Sequence, residues 1–491
     1  MKTSKYCIAL FQLLYLFSFS SCSSFLEEKI FSQIAAENFL VTKEGIESLT
    51  ADAYARTANL NLNNSQWVIG VNELCTDALM QSGGGNEAAI LTVMNFSWDP
   101  YNQIFIDNWD PPYQAIRDAN MLLENIGQTE GLTSQQVSAY TAEFKFIRAI
   151  NYFRLYTLFG PVPLRVSTTG KLDLAKATDE EMRSFIETEL LDAINFLPRS
   201  GNEAAYGRAH KAAAQAFICK FYLQTKQWEK TVAMAKQLMD TGQFSLFGNY
   251  ETLFRVANER NTEYIWVRPA VASTDRANAN GWINVAFPEA FASDPRTGLA
   301  FSTTWVNFPT QFRLLDAFFN SFEVGDKRKD LILTEYVNTS GVKVSLLGKN
   351  QTRSFKYWPD PNGLGASHGN DIPEIRYADI LLAKAEALNE LSGPNKESVD
   401  LINKVRSRAG LKNLLVSDLS DKTSLRNHIL KERGWEFYSE GHRRNDLIRM
   451  GKFISSATER GKTNAKPFHV LFPIPQVAVD SDPLLKQNQG Y

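Results

Sequence analysis

The stretch GRAHKAAAQAFICKFYLQTKQW, residues 207–228, carries the helical period that decides the fold. The same period resumes between Trp228 and Met239 after the short turn QTKQ, and Gly242 follows it. Such spacing predicts two amphipathic helices packed as an antiparallel hairpin. The first of these helices would place small and apolar residues on one face: Ala209, Ala212, Ala216, Cys219 and Leu223.

A second hairpin is predicted further along the chain. Helical spacing runs from Leu381 to Leu388, the turn LSGPNK follows, and the spacing resumes from Val399 to Ala409. Units of about 34 residues with small residues at the helix contacts are typical of tetratricopeptide repeats. Because the copies are degenerate and far apart, we predict a mainly α fold with a platform of tetratricopeptide-like hairpins, long loop insertions and a few short strands.

Two long segments, 59–112 and 270–310, lack helical period but contain many aromatic residues. Irregular segments of this length are usually either functional or disordered, and disordered segments contain few aromatic residues. We therefore expect both segments to be ordered and to form a surface. The tryptophans are Trp67, Trp98 and Trp109 in the first segment, and Trp282 and Trp305 in the second.

The N-terminus has the anatomy of an export signal. Lys2 and Lys5 precede a mostly apolar run, residues 6–19, that is too short to span a bilayer but suits a signal peptide. Small residues then precede Cys22, and this arrangement resembles a bacterial lipobox, in which the thiol is lipidated. We predict a signal peptide over residues 1–22 and palmitate-type lipidation of Cys22, with an ordinary secretory signal or an uncleaved anchor as the alternatives.

Charge and cysteine content exclude some classes of protein. Removing Lys2 and Lys5 with the signal leaves 50 basic residues against 54 acidic ones, a net charge of −4. A chain so close to neutral lacks the basic surface that nucleic-acid binding requires. The two remaining cysteines, Cys75 and Cys219, are too few for a disulfide framework, and their spacing leaves open whether they form one bridge.

No catalytic, cofactor or transition-metal motif is recognisable. The five histidines are dispersed without metal-ligand spacing, and the chain contains no Gly-x-Ser-x-Gly element. Glu432, Glu436 and Glu440 are spaced to lie on one helix face beside arginines. Because arginines keep neighbouring carboxylates ionised, which is wrong for a general acid, we predict a structural ion-pair network and a protein that is not an enzyme. A calcium site is left open.

Six blocks, in order along the chain, resemble the RagB/SusD family of outer-membrane lipoproteins of Bacteroidota. They are AEFKFIRAINYFRLYTLFGPVPLR (142–165), the hairpin 207–228, NTEYIW (261–266), RYADILLAKAEALNE (376–390), ILKERGWEFYSEGHRRNDLIRMGK (429–452) and FPIPQVAVDSDPLLKQNQGY (472–491). Two positions depart from the family pattern: Pro161 stands where Asp is frequent, and Phe19 stands in the lipobox where Leu is commonest.

The resemblance implies a SusD-like fold in which an N-terminal region, 23–225, and a C-terminal region, 226–491, form one intertwined unit. It also implies capture of an oligosaccharide or polysaccharide at the cell surface and its delivery to a SusC-like, TonB-dependent outer-membrane transporter. Two alternatives are a peptide-binding member of the same family and a tetratricopeptide-type scaffold for protein interactions.

A sugar offers apolar faces to aromatic rings and hydroxyl edges to amide side chains, so exposed aromatic loops with interleaved polar groups suit a glycan platform. We predict ligand contacts in the two long segments on this basis: Trp67, Asn72, Trp282, Asn284, Trp305 and Asn307. Trp109, Trp228 and Trp435 are instead predicted to pack in the core, and Trp98 fits either role.

Overall fold

The computed structural model describes residues 39–58, 69–273, 278–309 and 311–491; Cys22 and Trp67 therefore lie outside the described residues. The helices are α1 (Lys43–Ala58), α2 (Glu87–Asn95), α3 (Gln103–Asn125), α4 (Ser134–Phe159), α5 (Asp179–Phe196), α6 (Lys211–Gln224), α7 (Trp228–Asp240), α8 (Trp282–Ala286), α9 (Asp316–Ser321), α10 (Tyr377–Ser392), α11 (Lys396–Arg408), α12 (Lys422–Phe437), α13 (Arg443–Arg449), α14 (Phe453–Glu459) and α15 (Gln476–Ser481). The strands are β1 (Leu79–Gln81), β2 (Tyr264–Arg268), β3 (Phe291–Ser293), β4 (Phe312–Leu314), β5 (Ile332–Leu333), β6 (Glu335–Asn338), β7 (Lys343–Ser345), β8 (Arg353–Ser354) and β9 (Ile372–Arg376).

Both predicted hairpins are confirmed. Helix α6 packs against α7, and α10 packs against α11 as well as against α7, so that the two hairpins adjoin. The imidazole Nδ1 of His210 caps α6 by accepting the amide of Ala213 at 3.1 Å. Asn395 and Ser398 cap α11 reciprocally, which fixes where the second helix of that hairpin begins.

The N-terminal half is a bundle in which α4 is the central helix. Helix α4 begins with a capping box between Thr133 and Gln136 and runs for 26 residues. It packs against α3 on one side and α5 on another. Fourteen of its side chains are buried, among them the polar Glu143, Arg148 and Asn151, as expected for a helix that packs against neighbours on more than one side.

The prediction that residues 59–112 are irregular is wrong over part of that segment. Residues 87–95 form α2, and α3 begins at Gln103, with Asn102 accepting the amide of Ile104 at 3.0 Å. Helix α3 continues through Pro111 and Pro112. Proline usually interrupts a helix because it has no N–H and its ring crowds the preceding turn, which is why the sequence predicts the helix start too late.

One large hydrophobic core joins the two halves of the chain. It extends from Ile46 in α1 to Leu485 near the C-terminus, while a smaller cluster lies among α10, α11 and α12. The division at residue 225 stays a prediction. Cys75 and Cys219 are both buried and free, so they form no bridge. Among the described helices, none has the length and hydrophobicity needed to cross a bilayer.

Four tryptophans with predicted or open roles are buried in the core or pack against it. Trp109 and Trp435 are buried, as predicted. Trp98 is buried too, and its indole N–H donates to the hydroxyl of the C-terminal Tyr491 at 2.8 Å. Trp228 is half-buried and packs against the main cluster. The tryptophans of the helical regions thus belong to the core or pack against it.

Candidate functional site

The first long aromatic segment and the strand that follows the second meet at a short antiparallel ladder. Strand β1 pairs with β4 in the register Leu79 opposite Leu314, Met80 opposite Arg313 and Gln81 opposite Phe312. We call this ladder, with the turn that follows β1, the loop junction (residues 79–84 and 311–314). Because β1 lies in the first segment and β4 begins just after the end of the second, the junction connects the first segment to the strand that continues the second.

The turn at the loop junction exposes backbone. Gly83 and Gly84 both have positive φ angles, which glycine adopts without strain. A Cβ at Gly84 would lie 2.9 Å from the side-chain amide carbon of Gln311, so this glycine also allows the side chain of Gln311 to pack over the turn. The sequence SGGGNE therefore makes a close contact with the second segment.

Trp282 lies beneath the loop junction and is 0% exposed. Its ring centroid lies 4.8 Å from that of Phe312 in β4 and 6.2 Å from that of Tyr357. Trp282 opens the short helix α8, whose five residues are all buried. The indole thus anchors the second segment to the strand that pairs with the first.

Trp305 belongs to an aromatic layer, which we define as Phe287, Phe291, Phe301, Trp305 and Phe355. Its ring stacks on Phe287 with centroids 5.9 Å apart and planes inclined by 18°. Phe301 meets the same indole edge-on at 5.8 Å. Trp305 is 8% exposed, so this layer works as a local core that stabilises an otherwise irregular segment.

The two asparagines predicted to contact ligand bind the backbone of their own segment. Asn284 Nδ2 donates to the carbonyl oxygens of Val306 at 2.7 Å and Gly365 at 3.2 Å. Asn307 Nδ2 donates to the carbonyl of Pro288 at 2.8 Å. These bonds satisfy backbone acceptors that no helix or strand would pair, and they hold the chain on either side of Trp305.

The structure brings Trp282, Asn284, Trp305 and Asn307 into one region but does not expose them as a platform. The expected exposure of the second segment is wrong for Trp282 and Trp305, because both rings are covered by other aromatic side chains. Sequence could not show this, since an irregular segment has no period that separates a packed ring from an exposed one. Ligand contact by these four residues stays a prediction.

Asn72 lies at the base of the first segment, beside the C-terminal charged block. Its carbonyl oxygen accepts the amide of Arg444 at 3.0 Å. The neighbouring Glu73 accepts the amide of Gly441 at 2.9 Å and is 0% exposed. Burial raises the pKa of Glu73 to about 8, so this carboxyl is mainly protonated at neutral pH. Ligand contact by Asn72 also stays a prediction.

The predicted ion-pair network around α12 is present and buried. Arg328 Nη1 lies 2.6 Å from Glu432 Oε1, and Arg376 Nε lies 2.8 Å from Glu440 Oε2. Arg376 and Arg408 both contact Glu436. These side chains are almost fully excluded from solvent, so the pairs are structural cross-links between α12, β9 and α11.

The electrostatics of this network do not suit acid catalysis. Burial alone would raise the pKa of Glu432, but Arg328 beside it lowers that pKa to about 2. The arginines around Glu436 and Glu440 lower the pKa of both carboxyls in the same way. Carboxylates held ionised by paired guanidiniums cannot donate a proton near neutral pH.

A carboxyl cluster that sequence reasoning missed lies at the edge of the second segment. The hydroxyl of Tyr206 donates to Asp371 Oδ2 at 2.6 Å, and the amide of Asp371 donates to Glu259 at 2.9 Å. Burial raises the pKa of Asp371 to about 6 and that of Glu259 to about 7. No motif spacing connects these residues, because they come from three distant segments. Within the described ranges, no group of three or more histidine, cysteine, aspartate or glutamate side chains is placed to hold a metal ion.

Two family profiles match this chain, one in its N-terminal part and one in its C-terminal part. A profile of the SusD family matches residues 349–491, and one described as starch-binding associating with outer membrane matches residues 24–223. A SusD-like protein of Formosa agariphila is 27% identical over 97% of this chain and 98% of its own length. The starch-binding protein SusD of Bacteroides thetaiotaomicron is 25% identical over 86% of this chain and 84% of its own length.

Solved structures share the fold. A laminarin-binding SusD-like protein superposes with a TM-score of 0.78 at 23% identity, covering 92% of this chain and 100% of that one. Surface glycan-binding protein A from Bacteroides uniformis superposes with a TM-score of 0.76 at 22% identity, covering 91% and 99% of the two chains. The architecture around the loop junction is therefore that of a mainly α SusD-like fold.

Proposed function

Because the chain belongs to the SusD family, we propose that it is a cell-surface glycan-binding lipoprotein that captures oligosaccharide and delivers it to a TonB-dependent outer-membrane transporter. The observation that supports the binding part is the loop junction, where β1 of the first long aromatic segment pairs with β4, the strand that follows the second. Relatives whose names describe starch or laminarin binding support a glycan as the ligand.

The chemistry of the junction favours binding over catalysis. The side-chain amide of Gln311 carries donors and an acceptor that suit hydroxyl groups, and the aromatic layer packs the supporting segment into a local core. Rigid support lowers the entropy that a site loses when ligand binds. The paired carboxylates of α12 lie in the interior and are ionised.

Calorimetric titration of the mature protein against a panel of polysaccharides and peptides tests the proposed binding. We expect binding to at least one glycan and a clear loss of affinity in Gln311→Ala, since that side chain lies at the junction. Asn413→Ala, on the loop after the distant hairpin, is the matched control and should bind as the wild type does. Binding to peptides alone would favour the peptide-binding alternative, and binding to neither would contradict the proposal.

The anchor and the partner complete the proposed function. Lipid on Cys22 would hold the protein at the outer membrane, and a tethered binding site raises the local ligand concentration above a transporter pore. Affinity purification of the protein from solubilised outer membranes should recover a TonB-dependent barrel of the SusC type. Recovery of the lipoprotein without any such barrel, under conditions that preserve membrane complexes, would contradict the transporter partner.

A further inference from the structure

Arg353 in β8 is a buried guanidinium without a carboxylate partner. It is 1% exposed. Its Nη1 and Nη2 donate to the carbonyl and the side-chain oxygen of Gln351, and its Nε has no hydrogen-bond acceptor. Burying a positive charge is costly unless a negative charge or a full set of acceptors compensates for it, and a single neutral residue supplies both acceptors here.

Other buried arginines of the described chain are compensated. Arg328 and Arg433 each contact two or more carboxylates at ion-pair distance. Arg444 lacks a carboxylate, but it donates to two backbone carbonyls and its guanidinium lies 4.2 Å from the ring centre of Phe472. Arg353 therefore lacks the compensation of charge that these other buried arginines of the described residues have.

A second guanidinium lies on the neighbouring strand. Strands β4 and β8 are adjacent, with the amide of Leu314 donating to the carbonyl of Thr352 at 3.0 Å. Phe312 and Leu314 face the core and are buried, so Arg313 between them faces the other side of the strand. Arg313 is half-buried, and one Nη donates to the hydroxyl of Ser82 across the loop junction.

Neither guanidinium has a full set of acceptors or an ion-pair partner, and the charge of Glu87 acts on Arg313 only from beyond ion-pair distance. Neither Arg313 nor Arg353 has a carboxylate within ion-pair distance among the described residues, whereas most buried arginines do. The Nε of each and the Oγ1 of Thr352 are buried without hydrogen-bond partners. Burial, together with the charge of Arg313 on the adjacent strand, lowers the pKa of Arg353 to about 9.

We propose that Arg313 and Arg353 form a subsite for an oxyanion at the loop junction, so that the captured ligand is an acidic oligosaccharide carrying carboxylate or sulfate groups. This inference rests on the proposed glycan-binding function. Guanidinium presents planar N–H donors that match the oxygen geometry of a carboxylate or a sulfate, and hydrogen bonds between charged partners are about twice as strong as neutral ones. Partly exposed Arg313 meets the ligand, and buried Arg353 on the adjacent strand adds positive potential.

Titration with three oligosaccharides of matched length tests the subsite: an oligogalacturonate, a sulfated carrageenan oligosaccharide and a neutral laminari-oligosaccharide. We expect at least one acidic oligosaccharide to bind about tenfold or more tightly than the neutral one, with affinity falling as salt is added. Arg313→Gln should lose about tenfold or more of that affinity and most of its salt dependence. Comparing the two acidic probes distinguishes carboxylate from sulfate as the recognised group.

Two control variants accompany this titration. Arg313→Lys keeps the charge and should retain part of the affinity. Arg296→Gln removes an arginine of the second long segment that donates to the carbonyl of Asp330, and it should bind as the wild type does. Equal affinity for the neutral and acidic probes, unchanged in Arg313→Gln, would overturn the subsite while leaving glycan binding intact.

Two measurements that need no glycan distinguish failure of this inference from failure of the proposed function. Sodium sulfate should raise the melting temperature of the wild type more than that of Arg313→Gln, whichever glycan binds. Arg353→Met should not lower the melting temperature, because it removes an uncompensated buried charge. An equal sulfate effect in both proteins, or a fall in Arg353→Met as large as that in Arg376→Met, would contradict the subsite.

Discussion

Arg376 and Glu440 form a two-point ion pair in the interior, with Nε to Oε2 at 2.8 Å and Nη2 to Oε1 at 2.9 Å. The same guanidinium reaches Glu263 Oε1 at 2.6 Å. One arginine thus connects the end of β9 with the loop that follows α12 and with the residue that precedes β2. Because these segments are distant in sequence, the ion pairs of Arg376 hold them together in the folded protein.

Replacing one member of this pair should destabilise the protein strongly. Arg376→Met leaves Glu440 and Glu263 buried with fewer partners, and removal of one member of a buried pair typically costs ~3–5 kcal/mol. Denaturant unfolding followed by circular dichroism measures the change. Lys396→Ala is the control, because Lys396 pairs with Asp400 at the surface and such pairs contribute ~0–1 kcal/mol. Equal effects of the two changes would contradict a structural role for the network.

The main effect of Trp282→Ala should be a lower free energy of unfolding rather than a loss of glycan affinity. The indole is fully buried against Phe312 and Tyr357, and truncating a buried tryptophan typically costs ~3–5 kcal/mol. Unfolding curves measure this cost, with Phe196→Ala, whose ring is 60% exposed, as a control expected within ~0.5 kcal/mol. A stable Trp282→Ala protein that has lost glycan affinity would instead support direct contact with the ligand.

The helical platform is predictable from sequence because amphipathic period is a local signal. The spacing of Ala212, Ala216 and Cys219 marks α6, and all three side chains are buried where the period places them. The buried ion pairs are predictable for the same reason, since Glu432, Glu436 and Glu440 lie at four-residue steps. In both cases the pattern lies within one helix or its immediate continuation.

The candidate site is less predictable because it depends on contacts between distant segments. The pairing of Met80 with Arg313 joins residues more than 200 positions apart, and no local pattern in either segment indicates it. The burial of Trp305 under Phe287 and Phe301 likewise depends on how the second segment folds over itself. Composition therefore identifies the right segments but not which of their aromatic side chains face solvent.

Cys22→Ala should release the protein from membranes. A thioether-linked diacylglycerol with an additional acyl chain gives firm anchoring, whereas a chain without lipid has no comparable attachment. Fractionation of cells into soluble and membrane material, with immunodetection of the protein, measures the change. Cys219→Ala is a matched control, because that thiol is buried and free and is distant in sequence from Cys22. Membrane retention of Cys22→Ala at the wild-type level would contradict lipidation.

Glu73→Gln should weaken the dependence of stability on pH between about 5 and 8. Burial raises the pKa of Glu73 from 4.5 to about 8 in the folded protein, so the folded state holds this proton more tightly than the unfolded state does. Its contribution to stability is therefore complete below the unfolded pKa and is lost as pH rises through the folded pKa. Glutamine keeps the acceptor for the amide of Gly441 but does not titrate.

Free energies of unfolding at pH 5, 6.5 and 8 should fall less steeply in Glu73→Gln than in the wild type. The matched control Glu397→Gln changes a carboxyl that is 58% exposed, and it should keep the wild-type slope. A wild-type slope in Glu73→Gln would show that the carboxyl is ionised in the folded protein.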